Sequence, residues 1–373
     1  MKKQFLIALM MICVSTAGCI EQAELENLLD TDLDLCAGDL PVIRESNGTL
    51  RIITYDIYAL SEEVVQEFTN QTGIEVEFIR TEDAGGILDQ MMLTKNAPQA
   101  DLMIGLDNTY SGVAMDNCLL QENTVSRQNI TEDLGDNVFG ETNELVPFDH
   151  GHICINYDST YVDGENVTVP TSLWDFTEEA WKGKVAFPSA VSSSPGRAFM
   201  LATTDYFENE TEWDWWAQMI ANDAIITSGW TEAYEVHYSA GYGQWYDGFI
   251  GDAHATVSYC HSPGVEAFFG ENYTTSVALD LPKASLHQIE YAGIINGAAN
   301  VDYANQFIGF LLSEDVNTNM PANNYMYSVL SDTDLPEENG YRYHSPVPEQ
   351  PADVDLDQVD IEALVEIYAQ IIA

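Results

Sequence analysis

The sequence predicts an α/β protein in which two α/β lobes are joined by hinge strands. Patterns typical of strands and helices alternate over residues 50–105, and a second alternating set covers 181–259. Two long extended stretches, 144–158 and 286–295, connect the two sets. Alternating strands and helices form parallel sheets. Because the second stretch leads the chain back, we expect the first lobe to be completed after the second lobe.

The N-terminus has the composition of an export signal. Two lysines precede a short apolar run, 5–14, which ends in small residues before Cys19. A helix that spans a bilayer needs about 20 apolar residues, so this run is too short. The four residues that follow shortly after the run, Thr-Ala-Gly-Cys at 16–19, resemble the lipobox of lipoproteins. This predicts a signal peptide over 1–18 and a lipid anchor on Cys19 at the extracellular face of the membrane; cleavage without a lipid is the alternative.

The chain is strongly acidic. It contains 12 Lys+Arg against 61 Asp+Glu, which gives a net charge of −49. No basic patch can neutralise phosphates, and this excludes nucleic acids as partners. Salt screens the repulsion among so many acids, because the Debye length falls to about 3 Å at about 1 M salt. We therefore expect a halophilic organism, an archaeon; attraction of a cationic ligand is a second interpretation of the charge.

The first lobe is predicted over 49–150. Before it, residues 19–48 are acidic with few aromatic side chains, which is typical of a tether. A strand at 50–55 precedes a helix at 61–69, with Ser61 as its N-cap. The elements expected next are a strand at 74–79, a helix at 87–94 and a strand at 100–105.

The second lobe is predicted over 151–288, and 289–373 are expected to return to the first lobe and to end in C-terminal helices. Ligands of such folds bind in the crevice between lobes, at the carboxyl ends of the strands. Candidate binding residues should therefore follow strands. The elements expected in this part are strands at 185–187, 224–227 and 255–259 and helices at 194–207, 302–312 and 361–372.

Four cysteines remain after the lipobox: Cys36, Cys118, Cys154 and Cys260. In an oxidising compartment they can form two disulfides with three possible connectivities, and free thiols are the alternative. Asn-X-Ser/Thr triplets, which are candidate glycosylation sites, give further weak support for export. They begin at Asn47, Asn70, Asn129, Asn166, Asn209 and Asn272.

Several blocks of the sequence resemble the thiamine-binding proteins of ABC importers. They include Thr-Tyr-Asp at 54–56, Gly-Leu-Asp-Asn at 105–108, Val-Pro-Phe-Asp at 146–149 and Gly-Trp-Thr-Glu-Ala-Tyr at 229–234. The resemblance implies a two-lobed periplasmic-binding-protein (Venus flytrap) fold that binds thiamine or a thiamine phosphate. It also implies a monomer without a cofactor and without enzymatic activity, which delivers its ligand to an ABC permease.

The resemblance implies an aromatic cleft. Thiamine has two flat rings, one of them a permanent cation, and an aromatic face attracts a cation by about 0.5–2 kcal/mol. Tyr55, Trp230, Tyr259 and Tyr325 lie in matching blocks and are the expected ligand contacts. Core packing is the alternative for each. An additional aromatic-rich stretch, 235–248, either refills the cleft or indicates a different ligand.

Polar residues complete the implied site. The family has an acid in contact with ligand where this chain has Asp83, and a glycine where it has Ala84; helix capping is the alternative role of Asp83. A further block, in which Cys260 and His261 replace small hydroxyl residues, adds three candidate contacts: Cys260, His261 and Ser262.

A phosphate subsite is expected at the start of a predicted helix. Ser193 and Ser194 precede Pro195, which suits a first helical position. Exposed backbone N–H groups there, with two hydroxyls, can bind an anion. Arg197 is expected to assist, and ordinary helix capping is the alternative.

Two other kinds of function fit parts of the sequence. Ferric-ion-binding proteins share the implied fold, but they resemble one another in adjacent tyrosine ligands, which this chain lacks; an anionic small molecule is a third ligand class. A secreted zinc enzyme is the other alternative, because His150 and His152 are close in sequence and His254 and His261 lie near Cys260. No HExxH, GxSxG or phosphate-loop motif is present.

Overall fold

The computed structural model covers most of the chain after the leader. The predicted signal peptide, Cys19, Cys36, most of the tether and Asn166 lie outside the described residues. The described residues are 41–58, 60–131, 134, 143–162, 164–165, 167–245, 248–330 and 335–373.

The first lobe begins with the predicted alternation of strands and helices. Strand β1 (Thr49–Tyr55) lies between β2 (Glu75–Thr81) and β3 (Leu102–Asp107) and is parallel to both. Helix α1 (Glu62–Thr72) connects β1 to β2, and α2 (Ala84–Leu93) connects β2 to β3. The parallel sheet expected from this alternation is confirmed.

Local capping groups set where these helices begin and end. Ser61 caps α1 as predicted, since its hydroxyl accepts a backbone N–H at 3.3 Å. Gly73 ends α1 with a φ of 76°, which glycine adopts without strain. A short helix α3 (Ser111–Asp116) and strand β4 (Leu120–Gln121) follow β3.

Two long strands connect the lobes. Strand β5 (Leu145–Asp158) pairs with a second long strand, His287–Ile295, in antiparallel register, so that Asp149 lies opposite Glu290. The first half of β5 belongs to this pairing, and its second half, from Ile153, pairs with a strand of the second lobe. Both extended stretches expected from the sequence are therefore strands. Strand β5 pairs with strands of both lobes, whereas the second long strand pairs with β3, β4 and the first half of β5.

The second lobe has its own strands and helices. Strand β6 (Val185–Pro188) is parallel to β7 (Ile225–Thr227) and to β8 (Ala255–Tyr259), and β8 and β9 (Ser276–Leu279) are antiparallel to β5. Its described α-helices are α4 (Ser194–Tyr206), α5 (Glu212–Ala221) and α6 (Ser262–Phe269).

Elements after β9 complete both lobes. The second hinge strand is β10 (His287–Ile295), and α7 (Val301–Leu311) returns to the first lobe, where Phe307 packs edge-on against Phe68 at 4.9 Å between ring centroids. The remaining elements are α8 (Glu314–Asn317), α9 (Met320–Asn323), β11 (Tyr327–Ser328) and α10 (Ile361–Ile372).

Two separate hydrophobic cores lie on either side of the hinge strands. The buried side chains change from the first core to the second between Phe148 and Ile153, and back again between Leu286 and Ile289. The change occurs next to the predicted boundaries at 150 and 288. The apolar side chains therefore form two separate cores, although the backbone of β5 continues from one lobe into the other.

The C-terminal helix packs on a different lobe from the one that the sequence predicts. Residues 289–373 were expected in the first lobe, but Val365 and Tyr368 of α10 are buried in the second core. The Tyr368 ring lies 5.0 Å from Trp216 in an edge-on contact. Among the described residues, no helix is both long and apolar enough to cross a bilayer.

One disulfide closes the hinge side of the second lobe. Cys154 of β5 is bonded to Cys260, the residue after β8, and Cys118 is also disulfide-bonded. The free-thiol alternative is wrong for these three cysteines. The prediction that Cys260 contacts ligand is wrong as well, because its sulfur is in the disulfide and the residue is only 1% exposed.

Candidate ligand-binding cleft

A cleft of about 380 Å³ lies between the two lobes. Its walls come from the ends of β1 and β2 on one side and from the ends of β7 and β8 on the other, as expected for this fold class. Eight of the eleven predicted ligand residues line it: Tyr55, Asp83, Ser194, Trp230, Tyr259, His261, Ser262 and Tyr325.

The other three predicted residues do not line the cleft. Ala84 is the first residue of α2 and is 1% exposed within the first core. Ser193 is the N-cap of α4 and is fully buried behind Ser194. Cys260 is held in its disulfide. These three are therefore structural neighbours of the cleft wall.

The cleft wall is aromatic and acidic. Eight of its residues are aromatic, six are Asp or Glu, and none of the described residues that line it is a lysine or an arginine. No fixed positive charge of the described wall residues balances these acids. Their electrostatic field therefore repels an anionic ligand and attracts a cationic one. The six acids are Asp56, Glu82, Asp83, Glu235, Glu266 and Glu290.

Arg197 does not reach the cleft. Its Nε donates to the carbonyl oxygen of Ala190 at 3.1 Å, and its Nη1 donates to Glu362 of α10 at 2.9 Å. The guanidinium also lies 3.7 Å from the ring centroid of Tyr110. The expected role of Arg197 at a phosphate is thus wrong, because the side chain instead fastens α10 to the second lobe and contacts an aromatic ring of the first.

Trp230 provides a rigid aromatic surface at the second-lobe wall. Its indole stacks on Tyr234 at 4.9 Å with an interplanar angle of 12°. The indole Nε1 donates to Ser258 Oγ at 2.8 Å, and that hydroxyl in turn contacts Ser262 Oγ at 2.8 Å. A ring fixed from one face and one edge can present its cleft side to a flat ligand without a loss of side-chain entropy on binding.

The aromatic-rich stretch 235–248 only partly refills the cleft. Tyr242 lines it, whereas Tyr238 is fully buried behind the wall and bonds to Ser276 Oγ at 2.8 Å. Trp245 donates its Nε1 to Glu266 at 2.9 Å. Burial raises the pKa of Glu266 to about 7. Tyr246 lies outside the described residues.

Glu290 lies at the base of the cleft between two predicted ligand tyrosines. The Tyr55 hydroxyl donates to Oε2 at 2.8 Å, and the Tyr259 hydroxyl donates to Oε1 at 3.3 Å. Glu290 is only 3% exposed. Burial, and then the negative charge of Asp149, raise the pKa of Glu290 well above its usual range. The hydroxyls of Tyr55 and Tyr259 are therefore engaged below the cleft, which leaves their rings to face it.

Asp149 lies behind Glu290 on the other hinge strand. Asn324 Nδ2 donates to Asp149 Oδ2 at 2.8 Å and to the Tyr55 hydroxyl at 2.9 Å. Burial raises the pKa of Asp149 to about 8. The residue is fully buried, and its Oδ1 has no hydrogen-bond partner among the described residues.

Asp83 joins the two lobes at the cleft edge. Its Oδ1 accepts the backbone N–H groups of Ala84 at 2.8 Å and of Ser194 at 3.3 Å, and its Oδ2 accepts that of Trp230 at 3.1 Å. The side chain is therefore both the N-cap of α2 and a bond to the second lobe. Burial raises its pKa, and the hydrogen bonds oppose that shift. The N–H of Ser194, expected to hold a phosphate, is occupied by this carboxylate.

Two further contacts bring the lobes together beside Asp83. The backbone N–H of Gly85 donates to the Ser192 carbonyl at 3.0 Å, and Thr231 Oγ1 donates to Asp56 Oδ1 at 3.2 Å. A Cβ at Gly85 would lie 2.7 Å from that carbonyl oxygen, so the approach requires glycine. The structure is thus a closed form of the cleft at this edge.

The histidines do not form the imagined zinc site. Cys260 is oxidised, and His261 Nε2 donates to the Tyr325 carbonyl at 2.7 Å, while burial lowers the His261 pKa to about 4. His150 bonds instead to His287 at 3.0 Å. Across the part of the chain that the structure describes, no group of three or more His, Cys, Asp or Glu side chains is placed to hold a metal ion.

A family model described as bacterial extracellular solute-binding protein matches residues 63–328. The chain belongs to this family. It is a solute-binding protein and not an enzyme. The two-lobed α/β fold predicted from the sequence is confirmed by solved structures of periplasmic binding proteins.

Curated relatives match most of this solute-binding protein. The thiamine-binding periplasmic protein of Salmonella typhimurium is 23% identical over 291 residues, which cover 77% of this chain and 82% of the relative. That of Escherichia coli is 24% identical over 291 residues, covering 76% and 82%.

Solved structures share the fold and bind different solutes. A periplasmic thiamin binding protein has a TM-score of 0.74 at 21% identity and covers 89% of this chain and 99% of its own. An iron-bound protein of Pseudomonas aeruginosa has a TM-score of 0.65 at 14% identity, covering 87% and 99%. The fold alone therefore does not select the ligand of this solute-binding protein, and the cleft residues must.

Proposed function

We propose that this protein captures thiamine, or a thiamine phosphate, outside the cell and delivers it to the permease of an ABC importer. The observation that carries the proposal is the composition of the cleft, where eight aromatic residues and six acids meet without a lysine or arginine among the described lining residues. Thiamine combines two flat rings with a fixed positive charge, which this wall complements. Curated relatives named as thiamine-binding support the same ligand.

Within this ligand class, the charges favour free thiamine over its phosphates. A phosphate at the start of α4 would compete with the Asp83 carboxylate for the N–H of Ser194. Arg197, the expected counter-ion, points away from the cleft toward Glu362. A phosphate there would therefore gain no positive charge from the side chains and would meet a negative one.

The competing ligands fit the cleft less well. An anionic metabolite would be opposed by the six acids of the wall. The chain lacks the adjacent tyrosines expected of ferric-ion-binding proteins. The described residues also contain no group of three or more His, Cys, Asp or Glu side chains that could hold a metal ion. Neither alternative uses the stacked surface of Trp230 and Tyr234.

The ligand is tested by titration of the folded protein at high salt with thiamine, its phosphates and an anionic control, read by tryptophan fluorescence. We expect one-to-one binding of thiamine with quenching of Trp230. Trp230→Ala should weaken binding by about 2–4 kcal/mol, as buried aromatic anchors do, and Trp230→Phe should restore most of it. Trp213→Phe, away from the cleft, serves as the matched control. Absence of binding for every thiamine form would sink the proposal.

Closure about the hinge strands is part of the proposed mechanism. We propose lobes at 49–150 and 151–288, with α7 completing the first and α10 packed on the second. The ligand contacts both walls, so it stabilises the closed form, which the permease then recognises. Small-angle scattering should show a smaller radius of gyration with thiamine bound. Tight binding with unchanged scattering would contradict the hinge assignment.

We also propose that Cys19 carries a lipid that tethers the protein to the extracellular face of the membrane, and that the protein is a monomer suited to high salt. The export leader supports the anchor, and the acid excess supports the adaptation to high salt. Mass spectrometry of the mature N-terminus from native membranes tests the anchor. An unmodified N-terminus without added acyl mass would contradict it.

A further inference from the structure

The base of the cleft contains two acids that face each other from the hinge strands. Glu290 of β10 is in register with Asp149 of β5, and both are almost wholly removed from solvent. Glu290 lines the cleft, whereas Asp149 lies behind it. A positive charge that enters the cleft can therefore contact Glu290, whereas Asp149 is not part of the cleft wall.

The groups that face this pair supply hydrogen bonds but no positive charge. From β1, β8 and β10 come the hydroxyls of Tyr55 and Tyr259 and the amide of Gln288, which donates to Glu290 Oε1 at 3.2 Å. Asn324 donates to Asp149. All of these donors are neutral, so they stabilise a carboxylate without balancing its charge.

The ionisable groups at the edge of the pair do not balance it. Tyr58 is neutral, because burial raises the pKa of its hydroxyl. Asp107 of β3 adds a negative charge, which raises the pKa of Glu290 further. Arg80 donates to the main-chain carbonyls of residues 55, 56 and 58. His150, next to Asp149, is neutral because burial lowers its pKa to about 3. Two buried carboxylates with this environment cannot both stay ionised, and the pair must titrate as a unit.

One oxygen of the pair is suited to hold a proton. Asp149 Oδ2 and both Glu290 oxygens accept hydrogen bonds, and protonation of any of them would disturb a bond that is already made. Asp149 Oδ1 accepts none from the described residues. A proton there removes one negative charge and sacrifices no accepted bond.

We propose that Glu290 and Asp149 share one proton in the empty cleft, and that a cationic ligand placed against Glu290 displaces this proton to solvent. The inference rests on the proposed thiamine function and adds a specificity-determining residue to it. In the step, the O–H bond of the acid breaks, its electron pair stays on the carboxylate, and the proton passes to the buffer. The fixed charge of the ligand replaces the charge of the proton, so the total charge at the base of the cleft is unchanged.

Calorimetric titration of the full chain with thiamine in two buffers of different ionisation enthalpy measures the protons released. At a pH where the pair holds its shared proton, we expect release of about one proton per ligand, and at higher pH, once that proton has left the empty cleft, we expect almost none. Over the range in which the pair is protonated, affinity should fall about tenfold for each unit by which the pH is lowered. The pyrimidine half of thiamine, which lacks the thiazolium, should bind without release.

Matched variants identify the groups. Asp149→Asn should abolish release and remove the pH dependence of affinity, and Glu290→Gln should lose both release and at least about tenfold in affinity. Glu63→Gln on the exposed face of α1 should behave as wild type. Thiamine binding by the wild type without proton release, or release that persists in Asp149→Asn, overturns the inference and leaves the thiamine proposal standing. If the wild type binds no thiamine form, both fall.

Discussion

Two buried carboxylate sites of the first lobe face the same cleft and differ in what surrounds them. Asp83 receives three backbone N–H groups, two of them from the second lobe. Glu290 receives hydroxyl and amide groups and has another acid, Asp149, behind it. Backbone donors that converge on Asp83 satisfy it without a ligand, whereas the Glu290–Asp149 pair keeps an unbalanced charge. The first site therefore holds the lobes together, and we propose that the second selects a positively charged ligand.

The largest expected effect comes from reversing the charge at the base of the cleft. In Glu290→Lys an ammonium group replaces the carboxylate and faces Asp149, so it repels a cationic ligand. We expect thiamine affinity to fall at least about 100-fold, since like charges in an interface cost several kcal/mol. Some loss of stability is expected, because the hydroxyls of Tyr55 and Tyr259 lose their acceptor, and thermal unfolding checks that the variant is folded when its affinity is measured. Retained thiamine affinity would show that Glu290 is not the counter-ion.

A smaller effect is expected at the junction between lobes. Asp83→Ala removes the cap of α2 and both bonds to the second lobe, which should lower the free energy of unfolding by about 1 kcal/mol and thiamine affinity by about tenfold. Asp83→Asn keeps one acceptor oxygen, so its stability and its affinity should lie between those of the wild type and of Asp83→Ala. Chemical denaturation and titration measure both quantities. A loss of affinity as large as that of Glu290→Lys would mean that Asp83 is itself the main ligand contact.

The pH dependence of stability separates the pair from the junction. The folded pKa of Asp149 is raised to about 8, above its unfolded value near 3.9. Between these values the folded state binds the extra proton, so the contribution of this group to stability is fully present below about pH 3.9 and is lost as pH rises to about 8. The slope from this group is at most about 1.4 kcal/mol per pH unit. In Asp149→Asn the denaturant midpoint should depend less on pH across this range. An unchanged dependence would assign the titration to other groups.

The smallest effect is expected at the start of α4. Replacing Ser193 and Ser194 by alanine leaves the Ser194 N–H, and its bond to Asp83, in place. Thiamine and thiamine phosphate should therefore both lose less than about tenfold in affinity, in equal measure. A loss of affinity for thiamine phosphate alone would support the phosphate subsite expected from the sequence. It would also contradict the assignment of Asp83 to lobe contact alone.

The same two sites show what the sequence could predict. Asp83 carries a local signal, an acid between a strand and a helix, which indicates a cap directly. Glu290 is the only acid in β10, and the residues next to it in the sequence do not indicate that Asp149 lies opposite. That relation depends on the register of β5 and β10, which only the fold sets.

Errors of sequence interpretation have a similar origin. Arg197 follows the two serines closely in sequence, but its place on α4 turns it toward Tyr110 and Glu362. The pattern of α10 indicates a buried face but not which core receives it, and Tyr368 packs in the second. Tyr55, Trp230 and Tyr259 line the cleft as expected because the resemblance supplied their position relative to the strands.

The most direct test of the central claim, that the cleft binds an organic cation, is mass spectrometry of small molecules released from protein purified at high salt without refolding. We expect thiamine in an amount close to one molecule per chain, and its loss from Glu290→Lys purified in the same way. A stoichiometric anionic metabolite or iron in the wild type, with no thiamine form present, would contradict it.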